Sequence, residues 1–538
     1  MVLPGRRLFA LPFCLLMSDA FVSQRGVRQR KPVETAPAWL RMSPNDGEGS
    51  NNTALLSVRP DASTDATVAD ATLIPGPMSS PAEMSWIQKN LFLGIEPTPD
   101  IVAVVTIYFV EGALGLARLA QTYLLKDELH LGPAEMSALT GLLVIPWTIK
   151  PLYGFLSDGF PLFGYQRKSY LIAAGIVGSL SYAALGFQGF WAGLETGTAI
   201  TGSLAAMMLS SACIALSDVV ADGIVVTKTR ESKDPAIAGG LQSLCWGSAA
   251  LGGLLSAYFS GSLIETLSVR GVFSVTAVLP FLVALIALQM TEQPTKKANA
   301  ADGLVAIAEA QTKSVIEAFK LPTVWKPTLF LFLWQATPTS DSAFFYFLSN
   351  DIGLGPEFMG RVRLVTSFAT LGGVFLYNQY LKTARIKDIL LWSSIIAVPL
   401  GLLPILLVTH LNRELGIPDQ ALIYGDDVAL SVLGEIAFLP TLVLAAKLCP
   451  PGVEAVLFAT LMSIKNFSGT VGTELGALLT KLLGVTESNF DNLSLLIWIC
   501  NLSSLLPLLL IGWLDKVGDQ SEAELEATGD ALLIDEER

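Results

Sequence analysis

Residues 141–170 have the sequence GLLVIPWTIKPLYGFLSDGFPLFGYQRKSY. The stretch begins as an apolar helix that carries Lys150 between Pro146 and Pro151. It then breaks into a loop rich in glycine and proline, with one acid and a basic pair, before the next apolar run begins at Tyr170. Glycines allow a tight reversal, and basic residues hold a loop on the positive side of a membrane. The pattern predicts two membrane helices joined by a short loop, which by itself could be a plain membrane hairpin.

The composition of the whole chain is that of a membrane protein. Of its 538 residues 52% are hydrophobic and 15% are charged, and the mean hydropathy is +0.55. Apolar runs of about 20 residues, the length that crosses roughly 30 Å of hydrocarbon, recur along most of the chain. We see none of the short alternating segments typical of a membrane β-barrel. No basic patch is interleaved with aromatic residues, so the sequence does not suggest binding to nucleic acid.

The few cysteines and histidines exclude several classes of membrane enzyme. Four of the five cysteines lie in or beside apolar runs without the spacing of metal ligands, which is typical of small buried hydrophobic residues. A di-iron oxidase or a zinc protease needs clustered histidines, whereas this chain has only His130 and His410, both near predicted loops. We therefore expect no metal, no cofactor and no enzymatic activity.

The chain starts with a two-part targeting pattern. Residues 1–20 predict a secretory signal peptide, with two arginines, an apolar stretch and a small-residue cleavage site. A basic segment that starts at Phe21 follows and has no acid before Glu34. This arrangement resembles the presequence of algae with secondary, red-lineage plastids, and it predicts the plastid envelope; an ordinary secretory signal for another endomembrane or the plasma membrane is the alternative. Residues 21–98 are predicted to be transit-like and disordered, since they have little to bury.

Twelve apolar runs follow in two groups of six. The N-terminal half is predicted at 99–291, a polar linker at 292–320, the C-terminal half at 321–515 and an acidic disordered tail at 516–538. The predicted spans are 100–125, 134–157, 168–190, 198–228, 236–263, 270–291, 325–349, 357–381, 386–410, 422–448, 453–483 and 491–514. Six spans, a linker and six spans is the layout of a major-facilitator fold, whose halves are related by an axis along the membrane normal. The fold class is therefore an all-α polytopic membrane protein.

Many polar and ionisable residues fall inside these spans, where charge is costly and usually faces a cavity or another charge. The set is Glu111, Arg118, Lys150, Asp218, Asp222, Gln335, Asp341, Arg361, Arg363, Asp426, Asp427, Glu435, Lys465 and Glu474. A static helical bundle gains little from so many buried charges, so the set as a whole favours a transport protein. For Arg361 and Arg363 we prefer a simpler interpretation, in which the side chains reach back to the membrane interface.

Asp218 and Asp222 are the strongest functional candidates in this set. Their spacing places them on one face of a helix, where two carboxylates in a low dielectric repel each other, so that one could carry a proton. Glu435 occupies a similar place in the second half and joins them as a candidate for proton coupling. A purely structural ion pair with Arg118 or Lys150 is the alternative.

Motifs in both halves carry a family resemblance. They are PWTIKPLYGFLSD at 146–158, SDVVADG at 217–223, LQSLCWG at 241–247, FLWQATP at 332–338, FMGRVRLVTS at 358–367, AAKLCPPGVEA at 445–455 and NFDNL at 489–493. These motifs resemble the folate–biopterin transporter family of the major-facilitator superfamily, most closely its plastid-type folate transporters, over about residues 100–515. Glu111 stands where that family leads us to expect an uncharged polar residue, so we assign it no role.

The resemblance implies a folate or pterin as substrate. Asp218 or Asp222 could accept two hydrogen bonds from the pterin edge, while Arg118, Lys150 or Arg361 could hold the glutamate carboxylates. Gln335 and Asp341 in the seventh helix complete the predicted substrate site. The tryptophans that could stack on the rings are Trp147, Trp246 and Trp334, although such residues are more often packing residues.

The loop after the second helix resembles the corresponding loop of major-facilitator transporters. On that resemblance Gly154, Asp158, Gly164 and Arg167 form a latch between two moving halves. The sequence thus predicts a transporter that moves folates or pterins across the plastid envelope by alternating access, with protons as candidate coupling ions. A carrier of another organic anion with the same fold, and a non-transporting membrane receptor, are the alternatives. Its partners are the substrate and the lipid bilayer, and the oligomeric state is left open.

Overall fold

The structure is a computed structural model and describes residues 86–515 except 87, 89–90, 93, 188, 190–192, 194, 233–234, 295–311, 314 and 449–453. The predictions for the signal peptide, most of the N-terminal segment, most of the central linker and the acidic tail lie outside these residues. The described part of the chain is almost entirely helical, and its β-structure is one isolated bridge between Leu162 and Tyr165. A chain that crosses lipid is expected to be helical, because a helix satisfies its own backbone hydrogen bonds.

In the described residues, nine helices belong to the N-terminal half. They are α1 (Pro99–Ala113), α2 (Gly115–Tyr123), α3 (Pro133–Leu142), α4 (Ile145–Thr148), α5 (Lys150–Gly159), α6 (Lys168–Gly186), α7 (Thr196–Ser232), α8 (Pro235–Thr276) and α9 (Val278–Ala287). Thr98 caps α1 by accepting a hydrogen bond from the backbone N–H of Ile101 at 3.4 Å. Helices α1 and α8 pack with their backbones in contact, since a Cβ on Gly252 would lie 2.2 Å from the carbonyl oxygen of Phe109.

Prolines and one strained residue divide the longer spans. The second span is split into α3, α4 and α5 around Pro146 and Pro151, because proline removes a backbone donor and clashes with the preceding turn. Ser268 has φ 69° within α8, so the chain turns there between the fifth and sixth predicted spans. The sixth span is therefore the end of α8 followed by α9.

Within the part of residues 321–515 that the structure describes, the C-terminal half contributes nine further helices. They are α10 (Pro322–Gln335), α11 (Asp341–Tyr346), α12 (Pro356–Leu376), α13 (Ile386–Gly401), α14 (Pro404–Val408), α15 (Leu411–Glu414), α16 (Asp419–Lys447), α17 (Glu454–Leu482) and α18 (Leu493–Ser503), and a 3₁₀ helix covers Leu506–Leu514. Wider π-helical turns extend three spans, at Leu124–Glu128, Phe347–Asp351 and Tyr377–Leu381. The seventh span is broken between α10 and α11.

All twelve predicted spans contain helix in the structure. Eight helical stretches of the described chain are long and apolar enough to cross a membrane, and one of them, Ser243–Ala287, includes the turn at Ser268. The seventh, eighth and eleventh predicted spans are not among these stretches. The seventh is interrupted after Gln335, and α12 and α17 carry charged residues that lower their hydropathy.

The two halves meet at several pairs of helices, among them α3 with α17 and α8 with α12. Between α3 and α17, the Ser137 hydroxyl donates to the carbonyl oxygen of Thr473 at 3.2 Å. Between α8 and α12, the Glu265 carboxylate accepts a hydrogen bond from the backbone N–H of Glu357 at 3.0 Å. Close to this contact α8 and α12 touch backbone to backbone, because a Cβ on Gly360 would lie 2.8 Å from the Cα of Gly261.

We expect Gly360→Ala to force α8 and α12 apart. Overpacking of this kind costs about 1–3 kcal/mol, so the thermal unfolding midpoint of the purified protein in detergent should fall. Gly372→Ala is the matched control, because Gly372 lies in the same helix and a Cβ added there would have nothing within 4 Å. That control should be neutral or stabilising by up to about 1 kcal/mol. Equal midpoints for the two variants would contradict a tight backbone contact between the halves.

Candidate functional site

Helices α1, α5 and α7 bring together five polar side chains inside the N-terminal half. They are Tyr108, Glu111, Lys150, Asp218 and Asp222, and we call them the N-half cluster. Three of the five were predicted as site residues. The cluster places three carboxyl groups beside one ammonium group at membrane depth, where such groups are costly unless they are paired.

Lys150 and Asp218 form an ion pair in which the lysine ammonium donates to Oδ2 of the aspartate. The Asp218 side chain is 9% exposed and the Lys150 side chain 22%. The ammonium nitrogen also lies 4.7 Å from the ring centroid of Trp147, close enough for a cation–π contact. Of the two bases that the sequence left open as partners, the structure thus selects Lys150. Because Lys150 is the first residue of α5, the interruption of the second span positions its side chain.

Asp222 lies one helical turn after Asp218 and has a different partner. Its Oδ1 accepts a hydrogen bond from the Tyr108 hydroxyl of α1. The Tyr108 ring lies 6.5 Å from the ring of Trp246, centroid to centroid, and Trp246 is 57% exposed. The sequence did not single out Tyr108. Its position three residues before Glu111, and so on the same helical face, is the signal that could have identified it.

Glu111 completes the cluster. Its carboxyl group is close enough to Asp218, Lys150 and Asp222 to interact electrostatically with all three. Glu111 and Asp218 line a cavity between α1, α6, α7 and α9, together with Gly175 and Pro280. The family resemblance assigned no role to Glu111, whereas the structure places it beside the central ion pair, in the cavity that Asp218 also lines.

The remaining predicted carboxylate-binding residues lie apart from the N-half cluster. Arg118 lies in α2 with an exposed side chain. Arg361 lies in α12, is 63% exposed and forms an ion pair with Glu357 one turn earlier on the same helix.

Gln335, Glu435 and Lys465 form a second polar region in the C-terminal half. Gln335 and Lys465 line a cavity between α10, α16 and α17. The Lys465 ammonium lies 3.3 Å from the ring centroid of Phe438 and interacts electrostatically with Glu435. Asp341 begins α11 directly after the break and has an exposed side chain.

The loop predicted as a latch is bound within its own half in this structure. Glu292, which follows α9, accepts hydrogen bonds from the backbone N–H groups of residues 166–168 at 2.7 to 3.2 Å. The Arg167 guanidinium donates to Thr227 of α7 at 3.0 Å. Gly164 has φ +88°, a conformation that glycine adopts without strain.

Two further predicted latch residues lie in α5. A Cβ on Gly154 would lie 3.9 Å from Val219 of α7, an ordinary van der Waals contact. Asp158 lies near the end of α5, and its side chain is outside what the structure describes.

Comparison with known proteins decides the family. A model of the BT1 family matches residues 111–532. This chain belongs to the BT1 family. It is 46% identical over 459 residues to the folate-biopterin transporter of Synechocystis sp. (strain ATCC 27184 / PCC 6803 / Kazusa), covering 84% of this chain and 90% of that protein.

More distant members have similar coverage. The chain is 32% identical to the probable folate-biopterin transporter 2 of Arabidopsis thaliana, covering 79% of this chain and 84% of that one. It is 30% identical to the folate transporter 2 of Plasmodium falciparum (isolate 3D7), covering 76% of this chain and 87% of that protein. The predicted resemblance to folate–biopterin transporters is confirmed, and as a BT1 protein the chain is a membrane transporter and not an enzyme.

Solved structures confirm the fold class of this BT1 protein. The inward-open xylose transporter XylE from E. coli matches 80% of this chain and 98% of its own, with a TM-score of 0.51 and 12% identity. A transporter of the POT family, solved with a thioalcohol-conjugated peptide, matches 77% of this chain and 96% of its own, with a TM-score of 0.55 and 11% identity. At these identities the likeness concerns the fold alone, which is the predicted major-facilitator fold.

We expect that breaking the central ion pair of this BT1 protein destabilises it more than removing the pair. Lys150→Met leaves the Asp218 carboxylate buried without its partner, at a cost of about 3–5 kcal/mol. The double variant Lys150→Met/Asp218→Asn should recover a large part of that loss, which thermal unfolding of the single and double variants in detergent measures.

Arg385→Ala is the control for this experiment. It removes an exposed pair with Asp388, in which the Arg385 side chain is 84% exposed, and exposed pairs contribute about 0–1 kcal/mol. If Lys150→Met and Arg385→Ala had similar unfolding midpoints, the ion pair would have no special structural importance.

Proposed function

We propose that this protein moves folates or pterins across a membrane by alternating access. The observation that carries the proposal is the match to proteins named as folate or folate-biopterin transporters in a cyanobacterium, a plant and a parasite, at 30% to 46% identity and over most of each chain. The N-half cluster supplies the polar groups that such a substrate needs at membrane depth.

The geometry supports a specific role for Asp222. Its partner Tyr108 is a neutral hydroxyl, so a donor-rich pterin edge could replace that hydrogen bond without leaving a buried charge unpaired. Trp246 lies beside Tyr108 and is exposed, so its ring is available for stacking on the flat pterin. Asp218 is less available because Lys150 already neutralises it.

The contacts within and between the halves support the proposal of alternating access. The described loop at residues 166–168 bonds within the N-terminal half, while α8 and α12 touch across the halves. In the proposed mechanism Gly154, Asp158, Gly164 and Arg167 form a latch in the opposite state. Arg167→Ala should then slow flux more than it weakens substrate binding, and equal losses would place Arg167 in the substrate site.

We further propose that transport is coupled to protons. Asp218, Asp222 and Glu435 are the candidates, and three carboxyl groups around one ammonium in the N-half cluster leave room for a bound proton. A carrier of another organic anion remains the second candidate, since the cluster could serve any ligand with hydrogen-bond donors at one end.

The decisive experiment is counterflow of labelled folate in proteoliposomes that contain the purified protein. Competition by unlabelled pterins is expected. Uptake that unlabelled pterins do not reduce would indicate that the substrate is another organic anion. Binding of folate without flux would indicate a receptor.

We expect Asp222→Asn and Asp218→Asn to differ in this assay. If Asp222 accepts hydrogen bonds from the pterin, its neutralisation should lower substrate affinity about ten- to a hundredfold. Neutralising the proton carrier should abolish uptake driven by a pH gradient and leave folate–folate exchange nearly intact. Asp388→Asn is the control, because Asp388 pairs with Arg385 on the surface. Unchanged transport at every pH in both cluster variants would show that both acids are structural.

We also place the transporter in the plastid envelope of an alga with a secondary plastid. The support is the signal-like segment at residues 1–20 followed by Phe21 and a basic stretch. A reporter fused behind residues 1–98 should reach the plastid, and Phe21→Asp should divert it, as fluorescence microscopy would measure. Secretion of the reporter with the unmodified segment would contradict the plastid and favour another endomembrane or the plasma membrane.

A further inference from the structure

Arg118 of α2 and Arg363 of α12 belong to opposite halves and lie near each other, where Arg363 contacts the start of α2. The Arg363 guanidinium of α12 donates through Nη1 to the carbonyl oxygen of Gly115 at 3.3 Å, across the boundary between the halves. Gly115 begins α2, and Arg118 follows it three residues later on the same helix. Arg118 is close enough to Arg363 for the two positive charges to repel.

Neither arginine has a counter-ion in the described part of the chain. No described carboxylate lies within 4 Å of either guanidinium, whereas Arg361, Arg385 and Arg413 each pair with an acid. A guanidinium has five N–H donors, and the hydrogen bond to Gly115 uses one donor of Arg363. Arg363 is half-buried, so its unused donors and the like charge of the more exposed Arg118 nearby are both unfavourable. An anion between the two guanidinium groups would relieve both costs.

Arg361 shows by contrast what a structural arginine looks like in this helix. It lies two residues before Arg363 and therefore on another face of α12, where it is 63% exposed and paired with Glu357. Arg363 is less exposed and turns toward the N-terminal half. The structure thus favours Arg363 over Arg361 as the residue of α12 that meets a ligand.

We propose that Arg118 and Arg363 together bind the carboxylate end of an organic anion. The chemistry fits, because guanidinium forks bind carboxylates with two parallel hydrogen bonds each. The proposal rests on the proposed function, in which the ligand's ring end is held by the N-half cluster.

The position of the pair constrains the length of the ligand. Arg118 lies seven residues after Glu111, about 10 Å along the helix axis. A ligand that contacts both the N-half cluster and the arginine pair must therefore be elongated, with hydrogen-bond donors at one end and a carboxylate at the other. A short organic anion would reach only one of the two regions.

The pair also links ligand binding to the relative position of the halves. Arg118 belongs to the N-terminal half and Arg363 to the C-terminal half, so a carboxylate between them attracts both halves. Without an anion the same two charges repel each other. The bound carboxylate therefore stabilises the arrangement in which α2 and α12 are close.

The test compares folate with the analogue in which both glutamate carboxylates are amides. Binding of each ligand is measured on the full-length protein in detergent, for the unmodified protein, Arg363→Ala, Arg363→Lys and Arg361→Ala. The unmodified protein should prefer folate over the amide about ten- to a hundredfold, the range of a charge-assisted hydrogen bond. Arg363→Ala should lose most of this preference, and Arg363→Lys should keep part of it because the charge remains without the fork.

Arg361→Ala is the matched control and should retain the full preference. The inference is overturned if the unmodified protein does not distinguish folate from its amide, or if Arg363→Ala and Arg361→Ala give the same preference. Should Arg363→Ala fail to fold, the preference of Arg363→Lys relative to the unmodified protein decides, and an unchanged value overturns the inference. Failure of the proposed function is a separate result, in which the unmodified protein neither binds nor moves folates or pterins.

Discussion

The ion pair between Lys150 and Asp218 is the constraint on which the N-terminal half depends. Each charge alone would be expensive in a membrane helix, so the second and fourth spans must meet where these residues lie. The interruption of the second span before α5 directs Lys150 toward α7, and Glu111 of α1 then joins the pair. Three helices are thereby held around one polar centre, and Asp222, one turn further, remains next to Tyr108.

The two halves share a fold but distribute their charges differently. In the N-terminal half the acid of the fourth span pairs with a lysine from the second span. In the C-terminal half Glu435 of the tenth span interacts with Lys465 of the eleventh span, which lies over the ring of Phe438. In the proposed function the N-terminal half holds the ring through Asp222, because its partner Tyr108 is a neutral hydroxyl and not a charged group.

The contacts between the halves suit an interface that opens and closes. Ion pairs such as Arg270–Glu128 and Lys387–Asp515 join elements within one half. Across the halves the contacts include the glycine crossing of α8 and α12 and single hydrogen bonds such as Ser137 to Thr473. Packing and isolated hydrogen bonds are modest in free energy, and no ion pair between described residues joins the two halves. Breaking these contacts therefore exposes no strongly paired charge among the described residues. The arginines at the boundary add repulsion that a ligand can reverse.

The sequence by itself determined the helices and their grouping, because apolar runs of membrane length must form helices that satisfy their own backbone. Helical periodicity also placed Asp218 and Asp222 on one face, and the motifs predicted the family. Only the tertiary structure decided which base pairs with Asp218, since Arg118 and Lys150 were equally available in sequence. It likewise brought Glu111 into the cluster and separated Arg361 from Arg363. Residues two apart on a helix point to different sides, and which side meets the other half depends on how the helices pack.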